Sequence, residues 1–335
     1  MFLAGDIGGT KTVLALCDAA PPPGATTPGA LAFTIVREQV YPCADYPSLE
    51  AVLAAFLPAG APHGVTAACF GVAGPVVDGV AKITNLPWTI AASGLASKLG
   101  AKVSLLNDLQ ATALGMLVIP DSAFAVLQQG TRPDRATIAV IAPGTGLGEA
   151  TLYHDGRAYR ALPSEGGHAD FAPGTEDEIL LLRYLRGLYG DHVSYERVLS
   201  GHGIGDLYGF CRERANEPEP GWLAQELATG DRNAVVSKAA LERRDPCAVR
   251  ALAMFAEILG AEAGNLALRG VATGGIVIGG GIPPKILPAL QTGACVQRLG
   301  AKGRFSTWMR ALSVRVCLEP RAALYGAAHG ATQLI

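Results

Sequence analysis

Gly5-Asp6-Ile7-Gly8-Gly9-Thr10-Lys11 is flanked by two short apolar runs, Phe2–Asp6 and Thr12–Cys17. Two such runs joined at Gly8-Gly9 predict a β-hairpin at the start of the chain. Glycines in a tight turn let backbone N–H groups approach an anion, Thr10 adds a hydroxyl donor, and Lys11 adds a charge. Asp6, at the strand end, is placed to hold a hydrated Mg²⁺. An ordinary Gly-Gly hairpin with a capping Asp accounts for the same residues equally well. The GxxxxGK[ST] spacing of a P-loop is absent.

The pattern then recurs. Thr137–Ala142 reads as an apolar strand, Gly144-Thr145-Gly146-Leu147-Gly148 as a turn, and Glu149–Tyr153 as a second strand. A dinucleotide-binding GxGxxG turn would open a helix. A strand follows here instead, which favours a second hairpin able to grip phosphates. Two halves that each begin strand, Gly/Thr turn, strand predict an internally duplicated α/β fold. A third glycine turn, Gly279-Gly280-Gly281-Ile282-Pro283, lies between the apolar strand Ile276–Ile278 and an expected Pro-started helix. Backbone there can lie flat against a nucleoside, and a close-packed strand-to-helix turn explains it as well.

Outward from these turns, Ala19–Ala30 is Pro/Gly/Thr-rich and reads as a surface loop, and Leu31–Tyr41 reads as a third strand. Ser48 is expected to cap a short helix running to Leu57. Thr66–Val72 and Val103–Leu106 are apolar strands. The second runs directly into Asn107-Asp108, after which the spacing is helical to Leu117. Asn or Asp at that point is an ordinary helix cap. The end of a strand in an open α/β sheet is also where ligands bind, and there an Asn orients a substrate while a carboxylate takes a hydroxyl proton. Pro163-Ser164-Glu165-Gly166-Gly167-His168-Ala169 is the densest polar cluster. A carboxylate such as Glu165 accepts two hydroxyl hydrogen bonds, and a His can donate one. Glu196 by itself is a helix-surface charge, and Asn85 ahead of Leu86-Pro87 is a turn former. From Gly174 to about Leu268 the pattern is helical, and Arg321 to the end reads as a terminal helix.

With 335 residues, the chain is long enough for two domains or one large one, and 50% apolar content supplies a core for each. A net charge of −2 leaves no basic footprint for nucleic acid or an anionic membrane surface. The apolar stretches read as too short and too often broken by Gly or Pro for a membrane span, and MFLAGDIGGTK lacks the basic start of a secretory signal. Seven cysteines, at 17, 43, 69, 211, 247, 295 and 317, show no CxxC spacing. That argues against a disulfide framework or a Cys-rich zinc site, and the expectation is reduced, mostly buried thiols in a cytoplasmic protein.

Taken in order, GDIGGTK at 5–11, ITNLPW at 83–88, LLNDLQA at 105–111, APGTGLGEA at 142–150, LPSEGGHADFAP at 162–173, ERVLSGHG at 196–203 and GGGIPPKI at 279–286 resemble the bacterial glucokinase family, within the sugar kinase/Hsp70/actin superfamily. The resemblance spans nearly the whole chain. It implies a two-domain duplicated ribonuclease H-like (actin/hexokinase-like) fold with an interdomain cleft. The smaller domain would hold 1–117 plus 321–335 and the larger 118–320. It implies phosphate binding by Gly5, Asp6, Ile7, Gly8, Gly9, Thr10 and Lys11 and by Gly144, Thr145, Gly146 and Gly148, with Gly280 and Gly281 near the nucleoside. Asn85, Asn107, Asp108, Glu165, His168 and Glu196 fall on the sugar-binding positions, with Asp108 as catalytic base. ATP and glucose would be the substrates, Mg²⁺ the metal (at Asp6, through water), and a homodimer the assembly. Many relatives carry Asn where this chain has Lys11. No cysteine follows His168 until Cys211, so the zinc motif of the related repressor/kinase group is not expected. Kinases for mannose or an N-acetylhexosamine are the neighbouring readings. A non-catalytic sugar sensor and a chaperone-like ATPase are the readings from another class.

Overall fold

The opening alternation becomes a hairpin of β1 (Phe2–Ile7) and β2 (Lys11–Ala20), paired antiparallel with Asp6 opposite Val13. β3 (Ala32–Pro42) continues antiparallel from β2, while β4 (Ala67–Val72) lies parallel to β1 on its other side. The protein was analysed as a computed structural model that describes residues 1–20, 32–57, 64–83, 86–216 and 218–335. Of the expected 19–30 loop, Ala19 and Ala20 belong to β2, and the rest lies outside the described residues, as does Asn85.

The chain groups into two units. One comprises Met1–Ala123, Tyr159–Pro163 and Glu319–Ile335; the other comprises Phe124–Ala158 and Ser164–Leu318. In the first, a three-stranded meander of β5 (Val76–Val77), β6 (Val80–Lys82) and β7 (Thr89–Ala91) follows β4. β8 (Lys102–Asn107) then completes the main sheet in the order β3-β2-β1-β4-β8. Side chains alternate across β1. Leu3 and Ile7 point to a core shared with α1 (Leu49–Phe56) and α2 (Ala92–Leu99), whereas Phe2 and Ala4 pack against the C-terminal helix Ala322–Thr332. As expected, Ser48 caps α1, accepting from the Ala51 N–H at 3.4 Å. The C-terminal helix also crosses α3 (Asp108–Gly115) at backbone distance. A Cβ on Gly326 would stand 1.6 Å from the Ala111 carbonyl oxygen, and one on Gly115 would stand 1.9 Å from that of Ala322. Only glycine at both positions permits that crossing, and the crossing seats α3.

In the second unit, β9 (Phe124–Gln128), β10 (Ile138–Pro143), β11 (Leu147–His154), β13 (Ile276–Ile278) and β14 (Val314–Cys317) run in the order β11-β10-β13-β14-β9; β12 (Tyr159–Ser164) is shared between the units' residue sets. β10 and β11 form an antiparallel hairpin, and β13 and β14 follow parallel to β10. Both units therefore set an antiparallel hairpin beside two parallel strands, which is the predicted duplication. The helices of this unit include α4 (Glu176–Tyr189), α5 (Tyr195–Val198), α6 (Gly201–Ala215), α7 (Gly221–Thr229), α8 (Arg232–Leu241) and α9 (Pro246–Gly270).

α9 starts where the Asp245 carboxylate accepts from the Ala248 N–H at 2.7 Å and Pro246 occupies the first turn. It is long and apolar enough to cross a bilayer, contrary to the reading of the apolar stretches, but 72% of its most apolar window is buried. Leu252, Phe255, Ile258 and Leu259 all lie in the core there, each side chain contributing about 1.5–3 kcal/mol by burial. The expected Pro-started helix at Pro283 does not form. Pro284 disfavours a helical Pro283, so Pro283–Ile286 stays in a turn, and the helix begins at Leu287 with Pro288 in its first turn. All seven cysteines are free and buried.

Candidate functional site

In the first unit, the parallel register aligns Ile7, Val72 and Asn107 across β1, β4 and β8, so the ends of β1 and β8 open on the same edge of the sheet. The Gly8 N–H donates to the Lys11 carbonyl at 3.0 Å, closing the turn on itself. Its amide is thereby used inside the hairpin, which leaves Gly9 and Thr10 to form the tip. From below, the Cys43 N–H donates to the Thr10 carbonyl at 2.9 Å, and the buried Cys43 thiol donates to the Gly8 carbonyl at 3.4 Å. Gly5 and Ile7 lie deeper. A Cβ on Gly5 would stand 2.5 Å from the Phe70 ring, and Ile7 is fully buried, so both serve packing.

Asn107, not Asp108, caps α3. Its Oδ1 accepts from the Leu109 N–H at 2.9 Å, and Gln110 Oε1 accepts in return from the Asn107 N–H at 3.0 Å. Asn107 Nδ2 donates to the Gly74 carbonyl at 3.2 Å, and Gln110 Nε2 to that of Ala161 at 3.0 Å. Asp108 is therefore the first helical residue, with an exposed side chain whose Oδ1 accepts from the Leu109 N–H at 2.8 Å. Burial, and next the Asp108 carboxylate, push the Asp6 carboxyl up to about 6, with Lys11 opposing. Two carboxylates and an ammonium thus converge beside the glycine turn. Among the described residues no group of three or more His, Cys, Asp or Glu could hold a metal. Two carboxylates beside a glycine turn have the oxygen donors that suit a Mg²⁺ keeping most of its waters.

In the second unit, the Gly144–Gly146 turn is closed by the Gly144 N–H on the Gly146 carbonyl at 2.8 Å and tied to α6 by the Gly201 N–H on the Gly144 carbonyl at 2.9 Å. Gly148 lies within β11 opposite Ala142. Glu196, on α5, reaches back to this turn: its Oε2 accepts from the Leu147 N–H at 2.9 Å and fills the space a Cβ on Gly146 would need, 2.4 Å away. Its Oε1 lies 4.0 Å from His168 Nδ1, and His168 Nε2 lies 4.0 Å from Glu165 Oε2. The imidazole stands between two carboxylates. The Glu165 side chain is 81% exposed, the His168 side chain 60% and that of Glu196 31%, leaving all three with surface to offer a polyhydroxylated ligand.

The third glycine turn packs onto the end of β10. The Gly279 N–H donates to the Ile141 carbonyl at 2.8 Å and the Ile282 N–H to that of Pro143 at 3.3 Å. Gly280 has φ +86°, and a Cβ there would meet the Pro143 carbonyl oxygen at 2.3 Å, so the position requires glycine. Between this turn and the Gly144 turn opens a cavity of about 780 Å³, in the size range of a nucleotide site. Gly144, Thr145 and Gly281 line it as the motifs imply. Asn233 and Lys238 line it too, and sequence reading missed them, because α8 carries no motif and only its fold-back brings it there; Lys285, inside the 279–286 motif but not singled out in it, completes the wall.

Also missed was a carboxylate pair beneath the polar cluster. Glu149 and Glu262 are both fully buried. Glu262 accepts from Asn265 Nδ2 at 2.9 Å and pairs with Arg269, while neither oxygen of Glu149 accepts from a donor and its polar neighbour is the Glu262 carboxyl. Burial, then the neighbouring Glu262, hold Glu149 well above the ordinary carboxylate range. In the sequence Glu149 is simply one polar residue in a short strand.

The chain matches the protein family described as Glucokinase over residues 3–334. It is 40% identical to a glucokinase of Synechocystis sp., over 99% of this chain and 98% of that one. Among solved structures it resembles a glucokinase from an Antarctic psychrotroph, with 30% identity, a TM-score of 0.86, and coverage of 99% of this chain and 98% of that one. A ROK family glucokinase from Streptomyces griseus, solved with glucose and AMPPNP, shares the fold at a TM-score of 0.63, with 22% identity and coverage of 99% of each chain.

Proposed function

This chain belongs to the glucokinase family and is a sugar kinase, and from that premise we propose that it transfers the γ-phosphoryl group of ATP to the 6-hydroxyl of glucose. The observation that carries the reading is one hydrogen bond: Glu196 Oε2 on the Leu147 N–H ties the Glu165–His168 cluster to the Gly144 turn. That contact sets the groups suited to sugar hydroxyls beside the turn suited to phosphate.

In this reading Asp108 orients the 6-hydroxyl and accepts its proton. A loose phosphoryl-transfer transition state asks little of a base until late, so positioning contributes most. Asn107 cannot serve as that base. Its Oδ1 is committed to the helix cap, and its Nδ2 is held near Gly74 with room to donate to a sugar oxygen. The amides of Gly9, Thr10 and the Gly144 turn cradle phosphates, and Lys11 adds charge. The 780 Å³ cavity receives the adenosine, with Gly281 against it and Lys238 and Lys285 at its wall. Asp6 would hold Mg²⁺ through water, and the ion would supply charge neutralisation for the transferring phosphoryl group. Free, buried thiols accord with a reducing, cytoplasmic setting.

A coupled assay with a panel of hexoses and phosphoryl donors tests the reading. Glucose with ATP should give the highest kcat/KM, and Glu165→Ala and His168→Ala should each raise glucose KM about 5- to 150-fold by leaving sugar hydroxyls unpaired, at about 1–3 kcal/mol apiece, with ATP affinity unchanged. Higher turnover on mannose or an N-acetylhexosamine would reassign the substrate, and ATP binding without turnover of any sugar would make the chain a sensor.

A further inference from the structure

Beneath the Gly166–His168 turn lies a buried acid that accepts no hydrogen bond and whose polar neighbour is a second acid, Glu262. Glu149 leaves the 142–150 glycine motif pointing inward, fully buried, with no donor reaching either carboxyl oxygen and the Glu262 carboxyl beside it. One of them fills the place of a side chain at Gly166: a Cβ there would meet Oε2 at 2.2 Å. Gly166 begins the short turn Gly166–His168, held otherwise by its own N–H on Ser164 Oγ at 2.9 Å and by the Ala169 N–H on its carbonyl at 2.9 Å.

We propose that Glu149 is a positioning residue for sugar recognition: its carboxyl, packed against Gly166 in place of a side chain, seats the turn that carries Glu165 and His168. The inference rests on the reading that Glu165 and His168 bind the sugar.

A buried carboxyl with no donors fits this place only as the neutral acid, because an unpaired carboxylate there loses its hydration without compensation. The surroundings enforce neutrality. On α9, Glu262 is paired with Arg269; Lys302 lies beyond, bonded to Asn265. On α5, the Tyr195 phenol accepts from Asn265 Nδ2 and Glu196 faces the Gly144 turn. On the turn itself stand Glu165 and His168. Burial first and Glu262 second raise Glu149 to about 7, with Arg269 opposing. The folded carboxyl therefore binds its proton more tightly than the unfolded one. The seating is intact below the ordinary carboxylate range and is lost as pH rises through about 7, when a negative charge develops beside Glu262.

The test is the pH dependence of glucose KM and kcat from pH 6.5 to 8.5 in the parent and in Glu149→Gln, whose amide mimics the protonated acid. In the parent, glucose KM should rise roughly fivefold to tenfold between pH 7 and 8.5, below the limit of tenfold per pH unit for a single proton. ATP KM and kcat at saturating glucose should stay level. In Glu149→Gln, glucose KM should hold its low-pH value throughout, although His168 is retained. A variant that follows the parent's pH profile overturns the proposal. Hydrogen exchange of residues 164–169 in the unmodified protein, corrected for the intrinsic effect of pH, decides it independently of any variant's folding. Protection should drop between pH 6.5 and 8.5, and constant protection overturns the proposal. If Glu165→Ala and His168→Ala bind glucose normally while the exchange still responds to pH, the sugar assignment fails and the seating of the turn by Glu149 stands.

Discussion

Asp108 and the residue before it divide two tasks that look interchangeable in the sequence. Asn107-Asp108 offers two good helix caps, and only the backbone decides that Asn107 takes the role, with Gln110 reciprocating. Asp108→Asn should therefore melt within a degree or two of the parent, while kcat falls about 10²–10⁴-fold, the range for loss of a general base. Melting temperature and kcat of the purified variant check this together, and turnover within a few-fold of the parent would remove Asp108 from the mechanism. Asp6 supports a second prediction. Its folded carboxyl titrates near 6 against an ordinary 3.8, so its ionised form costs stability, up to about 3 kcal/mol at about 1.4 kcal/mol per pKa unit. That cost is absent below 3.8 and complete once pH has risen past about 6. Asp6→Asn should accordingly raise Tm at pH 8, lose most of that advantage at pH 4, and be poorly active at both. An equal Tm gain at both pH values would show that the charge is not the cause.

At the scale of elements, the glycine turns look alike in the sequence and differ in what they tolerate. Nothing lies within 4 Å of a Cβ on Gly144, so Gly144→Val should fold normally and weaken ATP binding at least tenfold by blocking backbone approach to phosphate. Isothermal titration with ATP tests it, and unchanged affinity would return the turn to a structural role. Gly326→Ala is the opposite case. Its methyl would strike the Ala111 carbonyl, so α3 must shift, costing at least about 1–3 kcal/mol and lowering kcat because α3 carries Asp108. Denaturant midpoints alongside kcat separate the two effects. The hairpins were legible because period-two alternation around Gly-Gly or Gly-Thr-Gly is a local signal. The β5–β7 meander and β9 were not, since strands of two to five residues hold too little pattern. The helix expected at Pro283 failed because its Pro signal sits in a Pro-Pro pair.

For the whole molecule, family, fold and the main site motifs could be read from the sequence, since glycine turns and the SEGGH cluster are contiguous. Residues recruited by fold-back could not: the α8 wall of the cavity, Cys43 beneath the first hairpin, and the Glu149–Glu262 pair. Burial of an acid depends on which helix lies over it, and a single strand sequence does not record that. The cysteines give a test at this scale. All seven are buried, so a thiol reagent should modify none of them rapidly in the native protein and all seven after denaturation. Rapid native labelling of even one would contradict the core described for these units.

The glycine crossing between α3 and the C-terminal helix also sets a timetable. The helix that seats α3 is made roughly 200 residues after it, or about 10–40 s later at a synthesis rate of 5–20 residues per second. During that interval Phe2, Ala4 and Cys69, which the late helix will cover, face water on a sheet that is otherwise complete. A nascent chain halted before residue 322 should therefore be sticky, protease-sensitive and in need of a chaperone, and catalytic competence should appear only once the last helix has left the ribosome.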